Sequence, residues 1–444
     1  MSNPFSGLKK LIQHVENEVN DLRRDNEYLP GGTDTMQCFY SSMPLVPQGQ
    51  SPSRLAAWLS NLQPQYNMAS MCFYGNLIDD EGHVAAVNSI LQQQNKMQNQ
   101  KGKPANPFLA EWSYCDDKTN GYVNAPFFIT KEYTGNVQVQ APYSFVVNGN
   151  PLYGGFVSIS LVSGEMGRKG AQYSMTGQVV DFDLNMWEYS ILLEDMFGTI
   201  QVGYGPSSFL PQYLTDAQQK TISQQYGSDV HRYLKESGDS MRGQGSYYYT
   251  IPLLGVESFE IRKNLQPYST GSKGTIWVDY VTQSFDKQSY SILGSAGWQF
   301  LAIQFPELNS EKYTSGALMF SSVDQGNGQH LPMARFYADN SEANTTPNGA
   351  VKPTYEWAMN DIQFTADKYW TDPSGKGAYK YPVQFTLTLT DGNNKMTIKG
   401  NAVRNNQVIE AFHKYEGVFD IKASIELEDL QLPDAKGYAW AEVH

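Results

Sequence analysis

The segment VQFTLTLTDGNNKMTI, residues 383–398, alternates apolar and polar side chains on both sides of a short polar turn. Apolar residues occupy every second position from Val383 to Leu389, with Gln or Thr between them, and the alternation resumes at Met396. Successive side chains of a β-strand point to opposite faces, so this spacing predicts two strands that each bury one face. The Asp-Gly pair at 391–392 is a hairpin signal. The segment therefore predicts an antiparallel β-hairpin.

The same period of two recurs along most of the chain. Residues 421–428 alternate apolar side chains with polar or charged ones. Further strands are predicted at 73–77, 137–141, 156–161, 190–193, 277–281 and 300–305. The 38 Gly, 29 Tyr and 21 Phe suit many strands that are joined by tight turns. No repeat of fixed length is visible, which disfavours propellers and solenoids. The sequence therefore predicts an all-β protein.

Two segments have helical rather than strand character. Apolar residues of segment 6–24 recur with helical spacing, which predicts an N-terminal amphipathic helix. Its polar face mixes acidic and basic residues, so we expect it to pack on the body or on a partner rather than on a membrane. Residues 215–236 follow Pro211 and predict a second, exposed helix. We interpret this second helix as an insertion between strands.

Length and charge limit the class of protein. The 444 residues favour two or three domains. The net charge is −13, from 32 basic and 45 acidic residues, and disfavours nucleic acid as a partner. With 40% hydrophobic and 17% charged residues, the chain does not have the composition of a disordered protein. No segment is apolar enough to span a membrane, and the N-terminus lacks the apolar core of a secretory signal. We therefore expect a cytoplasmic protein without stable membrane insertion.

The sequence lacks the common motifs for binding nucleoside triphosphates and dinucleotides and for zinc-protease and α/β-hydrolase chemistry. It has no GxxxxGK[ST], no strand-borne GxGxxG, no HExxH and no GxSxG. The six histidines are scattered and form no local ligand pair. The acidic stretch from Asp79 to His83 lacks the ligand spacing of an EF-hand, and a hairpin turn explains it better. The sequence therefore predicts neither a metal nor a cofactor.

Several segments, taken in order, resemble those of a known family. They are MCFYGNLIDDEG (71–82), SYYYTIP (246–252), KGTIWVDY (273–280), GWQF (297–300), ALMF (317–320), YWTDPSG (369–375) with YP (381–382), YEG (415–417) and GYAWAE (437–442). Their order and spacing resemble the lipocalin-like family that contains the AttH proteins, the bacterial carotenoid 1,2-hydratases (hydroxyneurosporene synthases) and the Diels–Alderases of polyketide pathways. The N-terminal helix and segment 215–236 fall outside the resemblance.

The resemblance implies a specific architecture. Members of this family have two lipocalin-like antiparallel β-barrels side by side, with an apolar pocket in or between them. We therefore expect a helix and linker at 1–30, an N-terminal barrel at 31–262 and a C-terminal barrel at 263–444. The helical insertion would belong to the N-terminal barrel. A chain rich in Tyr, Phe and Met has the side chains to line such a pocket.

One departure from the family pattern bears on the chemistry. In the hydratases the segment corresponding to Trp277-Val278-Asp279 continues with His and, two residues later, Trp, but this chain continues with Tyr280 and places Thr282 two residues later. Replacing His by Tyr raises the reference pKa of the donor from about 6.5 to about 10, which disfavours protonation of an unactivated alkene. An intramolecular [4+2] cycloaddition needs no strong acid, because much of its barrier is the entropy of bringing the reacting groups together.

These considerations give three hypotheses. The first is a cofactor-independent, Diels–Alderase-like cyclase acting on a hydrophobic polyene or polyketide-type intermediate. The second is a hydratase that adds water to a prenyl or carotenoid-type double bond, and the third is a non-catalytic carrier of hydrophobic small molecules. The resemblance makes Asp279 and Tyr280 the candidate catalytic residues. It implies substrate contacts at Trp277, Trp298, Gln299, Tyr248, Tyr74 and Met319.

Two alternatives remain open for Asp279. In an apolar pocket it could serve as a general acid, whereas on the outer face it would be a solvated strand residue or the partner of a lysine. For the other candidates, packing inside the barrels is the competing interpretation. The sequence does not predict the oligomeric state.

Overall fold

The computed structural model describes most of the chain after residue 67. The described residues are 68–94, 97–98, 104–105, 108–119, 121–129, 137–140, 144–148, 155–164, 167–198, 200–202, 246–283, 298–324, 330–339, 353–373, 380–409 and 414–443. The predicted helices at 6–24 and 215–236 both lie outside these residues. No helix within them is long and apolar enough to cross a membrane.

Thirteen strands form a first antiparallel sheet in the order β6-β5-β2-β1-β15-β13-β11-β10-β9-β8-β7, with β12 and β14 paired to β13. Two further strands, β3 and β4, pair only with each other. The strands are β1 (Met68–Ile78), β2 (Val84–Gln94), β3 (Met97–Gln98), β4 (Pro104–Ala105), β5 (Phe108–Cys115), β6 (Val123–Ile129), β7 (Val137–Gln140), β8 (Ser144–Asn148), β9 (Phe156–Ser163), β10 (Gln172–Val180), β11 (Met186–Asp195), β12 (Ile200–Val202), β13 (Ser246–Lys263), β14 (Gln266–Gly271) and β15 (Lys273–Gln283).

Ten strands form a second antiparallel sheet in the order β19-β18-β17-β16-β25-β24-β22-β21-β20, with β23 paired to β24. They are β16 (Trp298–Phe305), β17 (Gly316–Asp324), β18 (His330–Ala338), β19 (Tyr355–Trp357), β20 (Ile362–Thr371), β21 (Lys380–Asp391), β22 (Asn394–Ala402), β23 (Val408–Ile409), β24 (Lys414–Leu427) and β25 (Leu430–Val443). A three-residue 3-10 helix, Met359–Asp361, precedes β20.

The all-β prediction is confirmed, and the predicted barrels are corrected to two curled sheets, or half-barrels. In each sheet the pairing of the described strands runs from one edge strand to another, from β6 to β7 and from β19 to β20, without closing. The predicted hairpin at 383–398 is formed by β21 and β22, where Leu389 pairs with Met396. Gly392 supplies the positive φ of its turn, at 57°.

The change from the first sheet to the second falls between Gln283 and Trp298. β14 and β15 pair with β13 of the first sheet, although they lie beyond the predicted domain boundary at 262 and 263. The division of the chain into domains at that boundary remains a prediction. Each sheet has its own apolar core on one face, built around residues such as Trp112 and Trp187 in the first sheet and Phe336 and Phe385 in the second.

The opposite faces of the two sheets pack against each other. The resulting apolar cluster, which we call the intersheet layer, consists of Tyr74, Ala86, Cys115, Trp277, Phe300, Ala302, Ala317, Met319, Met333, Val418 and Trp440. Arg404 of the second sheet closes one margin of the layer by donating to the carbonyl oxygens of Val84 at 2.7 Å and Cys115 at 3.0 Å. Lys169 pairs with Asp339 across the sheets at 2.7 Å. Polar contacts between the sheets therefore flank an apolar centre.

A buried carboxyl group gives the fold a pH dependence. Burial raises the pKa of Asp195 to about 7, although the backbone N–H groups of Phe197 and Gly198 donate to its Oδ1 atom. The unfolded chain releases this proton near pH 4, so the folded state binds it more tightly between about pH 4 and about pH 7. The free energy of unfolding therefore falls as the pH rises through that window.

We expect Asp195→Asn to remove this dependence, because Asn keeps the acceptor for the two N–H groups and carries no titrating proton. The free energy of unfolding of Asp195→Asn, relative to that of the wild type, rises by up to about 1.4 kcal/mol per pH unit within the window. The difference stays constant above it. Urea denaturation from pH 4 to pH 8 measures the difference. The exposed Asp434 provides the control substitution, Asp434→Asn. Parallel pH profiles for wild type and Asp195→Asn would contradict the assignment.

The turn between β13 and β14 carries backbone strain. Asn264 and Leu265 have φ values of 52° and 66°, in the left-handed region, and the Leu265 side chain is 61% exposed. A side chain in this region costs roughly 1–2 kcal/mol, and an Asn-Gly pair is the preferred sequence for such a turn.

We expect Leu265→Gly to raise the free energy of unfolding by roughly 0.5–1 kcal/mol, since relief of strain exceeds the added entropy of the unfolded chain. The urea midpoint measures this. The control is Val162→Gly, at an exposed position inside β9 where glycine should destabilise the strand. A lower midpoint for Leu265→Gly would show that the leucine stabilises the turn.

Candidate functional site

The candidate site lies at the centre of the intersheet layer. Tyr74 of β1 and Trp277 of β15 are cross-strand partners in the first sheet, and both face the layer. Their chain neighbours Phe73 and Val278 belong to the core on the other face of that sheet, as strand alternation requires. Phe300 and Trp440 reach the layer from β16 and β25 of the second sheet. Both sheets therefore contribute large aromatic side chains to one place.

A buried carboxylate links the two aromatic residues of the first sheet. Asp279 follows Trp277 by two residues on the same face of β15 and is 8% exposed. The hydroxyl of Tyr74 donates to Asp279 Oδ2, and the indole N–H of Trp277 donates to Oδ1. Asp279 acts as the acceptor in both contacts. These bonds fix the orientation of both rings and compensate part of the cost of burying a carboxylate.

The rings from the two sheets make specific contacts. Tyr74 stacks on Trp440 with ring centroids 5.2 Å apart and an interplanar angle of 25°. Phe300 meets Tyr74 edge-on at 6.4 Å and Trp277 at 6.1 Å. Edge-to-face and offset-stacked pairs are favourable arrangements of aromatic rings. The site is therefore an ordered aromatic cluster, in which one ring carries a hydroxyl group held by a carboxylate.

Polar groups flank the aromatic cluster on the side of β2. Asn88, the partner of Tyr74 on that strand, donates through Nδ2 to Glu416 Oε2 at 2.7 Å. Glu416 is the cross-strand partner of Glu442, and both glutamates are buried. Tyr122 donates its hydroxyl to the Glu416 carbonyl oxygen at 2.8 Å. Buried carboxyl groups therefore occur on both of the faces that meet, Asp279 on the first sheet and Glu416 and Glu442 on the second.

The structure brings together four of the eight residues singled out in the sequence. Tyr74, Trp277 and Met319 belong to the intersheet layer and Asp279 is hydrogen-bonded to the first two. Of the two placements considered for Asp279, the buried one is observed. The structure places the remaining four elsewhere or describes only their backbone.

Gln299 is half-buried and lies on β16 two residues before Leu301, on the face opposite Phe300. For Tyr280, Trp298 and Tyr248 the description covers only the backbone: Tyr280 pairs with Met71, Trp298 with Val323 and Tyr248 with Val281. Their proposed roles remain predictions.

Sequence reasoning did not select Asn88, Phe300 or Trp440 as site residues. Phe300 and Trp440 lie in the segments GWQF and GYAWAE, and strand alternation puts them on the same face as Ala302 and Tyr438, two residues away. Asn88 carried no signal, because its importance comes from a contact with Glu416, which is 328 positions away in the chain.

One group of side chains in the described ranges has metal-ligand geometry. The ligand atoms of Asp79, Glu81 and His83 lie within 4.8 Å of one another in the turn between β1 and β2. Asp79 Oδ1 also accepts hydrogen bonds from the backbone N–H groups of Glu81 and His83. These bonds agree with the hairpin turn that the sequence predicts here, and the group stands outside the intersheet layer.

No protein-family model and no curated protein matches the chain. Among solved structures, it is similar to a putative AttH from Nitrosomonas europaea, with 12% identity, coverage of 85% of this chain and 92% of that chain, and a TM-score of 0.52. Kievitone hydratase from Nectria haematococca matches with 12% identity, 84% and 88% coverage and a TM-score of 0.45. CghA with Sch210972 matches with 11% identity, 94% coverage of both chains and a TM-score of 0.41. The similarity to the AttH structure supports a shared fold.

The bond between Tyr74 and Asp279 should contribute to stability. We expect Tyr74→Phe and Asp279→Asn each to lower the free energy of unfolding by roughly 1–3 kcal/mol, because each variant weakens or removes a buried hydrogen bond to a carboxylate. A double-mutant cycle in urea should give a coupling energy of similar size. The control cycle uses the exposed pair Thr386 and Asp367, where the coupling should be close to zero. Additive effects of the two site substitutions would contradict a direct bond.

Proposed function

We propose that this protein is a cofactor-independent cyclase that takes up a hydrophobic polyene or polyketide-type intermediate in the intersheet layer and closes a ring by intramolecular [4+2] cycloaddition. The observation that carries the proposal is the aromatic cluster formed by both sheets, in which the hydroxyl of Tyr74 is oriented by Asp279. The resemblance of the quoted segments to a family with such enzymes led to the hypothesis, and the shared fold is consistent with it.

The chemistry of a [4+2] cycloaddition fits a site of this composition. Two carbon–carbon σ bonds and one new π bond replace three π bonds, and no atom enters or leaves. The protein must therefore fold the chain so that diene and dienophile meet, a contribution that reaches roughly 7–11 kcal/mol in well-oriented intramolecular cases. Flat aromatic faces from Tyr74, Trp277, Phe300 and Trp440 are suited to hold a conjugated chain.

A hydrogen-bond donor would lower the barrier further. A carbonyl conjugated to the dienophile gains negative charge as the bonds form, and a donor that is already oriented stabilises this charge. Tyr74 and Trp277 each donate their single polar hydrogen to Asp279, so these bonds orient the two rings and the donor to the substrate must be another group. Tyr280, Trp298, Gln299 and Tyr248 remain the proposed substrate contacts and donors under this function.

The hydratase hypothesis is favoured by one observation, the buried carboxyl groups on the faces that meet, which include Asp279, Glu416 and Glu442. Hydration requires an acid that delivers a proton to carbon. Asp279 is the acceptor in its contacts with Tyr74 and Trp277, which does not favour this role. The cyclase is therefore the better-supported proposal. A hydrophobic small molecule is the proposed partner, and a cytoplasmic location remains a prediction.

We expect the purified protein to convert a component of an organic extract of its own producing cells into a product of identical mass and altered chromatographic retention. Native mass spectrometry with chromatography of the released ligand measures this. Trp440→Ala should lower the rate at least tenfold, since it removes the ring stacked on Tyr74, and Asp279→Asn should lower it less. A gain of one water would favour the hydratase instead, and release of an unchanged ligand would favour the carrier.

A further inference from the structure

A buried arginine faces the intersheet layer. Arg335 of β18 is 1% exposed, and among the described residues it is the one basic side chain that is buried. Its cross-strand partner Met319 belongs to the layer, and so does Met333, two residues earlier on β18. Ala334 and Phe336 belong to the core on the other face of the sheet. Strand alternation therefore directs the guanidinium of Arg335 to the layer.

One carboxylate pairs with this guanidinium. Glu356, the partner of Arg335 on β19, accepts through Oε1 from Nη2 at 2.9 Å and from Nε at 3.2 Å. Its side chain is 23% exposed and therefore reaches water, whereas that of Arg335 does not. A guanidinium keeps its charge when buried and carries five N–H donors in a planar fork. An anionic group of a ligand can therefore share the guanidinium with Glu356 or displace Glu356 towards water.

Strand register connects Arg335 to the aromatic cluster. Trp440 of β25 pairs with Ala302 of β16, which pairs with Met319 of β17. Met319 in turn pairs with Arg335, so three strand spacings, about 14 Å along the sheet, separate Trp440 from Arg335. Ala302 is small and Met319 is flexible, and the arginine side chain itself covers part of the distance. An extended conjugated chain can therefore lie along this row, with one end at Trp440 and the other at the guanidinium.

The charges of the layer give such a chain a direction. The buried carboxyl groups lie at the aromatic end: Asp279 is bonded to Tyr74, and Glu442 follows Trp440 by two residues on β25. Like charges repel strongly where water is excluded. An anionic end group is therefore disfavoured beside the aromatic cluster and favoured beside Arg335.

We propose that Arg335 binds an anionic oxygen group, such as a carboxylate, at one end of the hydrophobic substrate. This inference rests on the proposed function and specifies the substrate class, a polyene with an acidic end group. The ion pair fixes that end of the chain, while the conjugated part passes over Met319 and Ala302 to the aromatic rings. Anchoring one end of a flexible polyene restricts the conformations from which it reacts.

The test uses two probes, octa-2,4,6-trienoic acid and its N-methylamide, which have the same triene and differ in charge at neutral pH. We expect the wild-type protein to bind the acid at least tenfold more tightly than the amide, because only the acid forms an ion pair with Arg335. The change in triene absorbance on titration measures both affinities, and their ratio is the acid preference.

Two variants should move the acid preference in opposite directions. Arg335→Met combined with Glu356→Gln removes both charges and leaves neither one buried alone, so the protein should still fold. Its acid preference should fall about tenfold. Glu356→Gln alone keeps the guanidinium and removes the carboxylate that competes for it, so the acid preference should rise by roughly threefold or more. A purely structural ion pair would lower the unfolding midpoint in Glu356→Gln without raising the acid preference.

Matched controls use ion pairs on the surface. Glu260→Gln removes the carboxylate that pairs with the exposed Arg262, and Lys312→Met removes the exposed cation that pairs with Asp429. Both variants change the net charge of the protein by one unit. Neither should change the acid preference, because exposed charges are screened by water and salt.

The outcomes separate the role of Arg335 from the proposed function. Equal wild-type affinity for the acid and the amide would overturn the role of Arg335 and leave polyene uptake intact. A wild-type acid preference in Glu356→Gln, or in the double variant, would also overturn it. If the double variant does not fold, Glu356→Gln alone decides. Failure of the wild-type protein to bind either triene would contradict the proposed uptake of polyenes and, with it, the anion site.

Discussion

The burial of Asp279 between the two sheets is the constraint on which the candidate site depends. A carboxylate removed from water is strongly destabilising unless donors are oriented towards it. Tyr74 and Trp277 provide them from the adjacent strand and from the same strand. Because these bonds fix the two rings, they also determine where Phe300 and Trp440 pack from the second sheet. The packing of the two sheets and the geometry of the site therefore have the same origin.

The intersheet layer has an apolar part and a polar part. The aromatic rings of Tyr74, Trp277, Phe300 and Trp440 form the apolar part. The hydrogen bond from Asn88 to Glu416 joins the two sheets beside those rings. At the margins, Arg404 and the Lys169–Asp339 pair join the sheets through polar contacts. The site is thus assembled from both sheets, and neither sheet contains it alone.

The sequence predicted the local structure better than the site. Alternation at 383–398 identified the β21–β22 hairpin and the faces of its strands, since period and turn chemistry are local properties. The same alternation places Gln299 and Phe300 on opposite faces of β16, so the local pattern itself separates Gln299 from the layer. The pairing of β1 with β15 joins residues about 200 positions apart, as in the bond from Tyr74 to Asp279, and no local pattern encodes it. The predicted barrels differ from the observed half-barrels for a similar reason, because closure depends on pairing between distant edge strands.

A crystal structure of the protein with a bound conjugated trienamide tests most directly whether the ligand binds in the intersheet layer. We predict ligand density between the two sheets, with the triene against the rings of Tyr74 and Trp440. Ligand density in the apolar core of the first sheet, among Trp112 and Trp187, would contradict this location. In that case the intersheet layer would be a structural interface, and the function would have to be sought in the core of the first sheet.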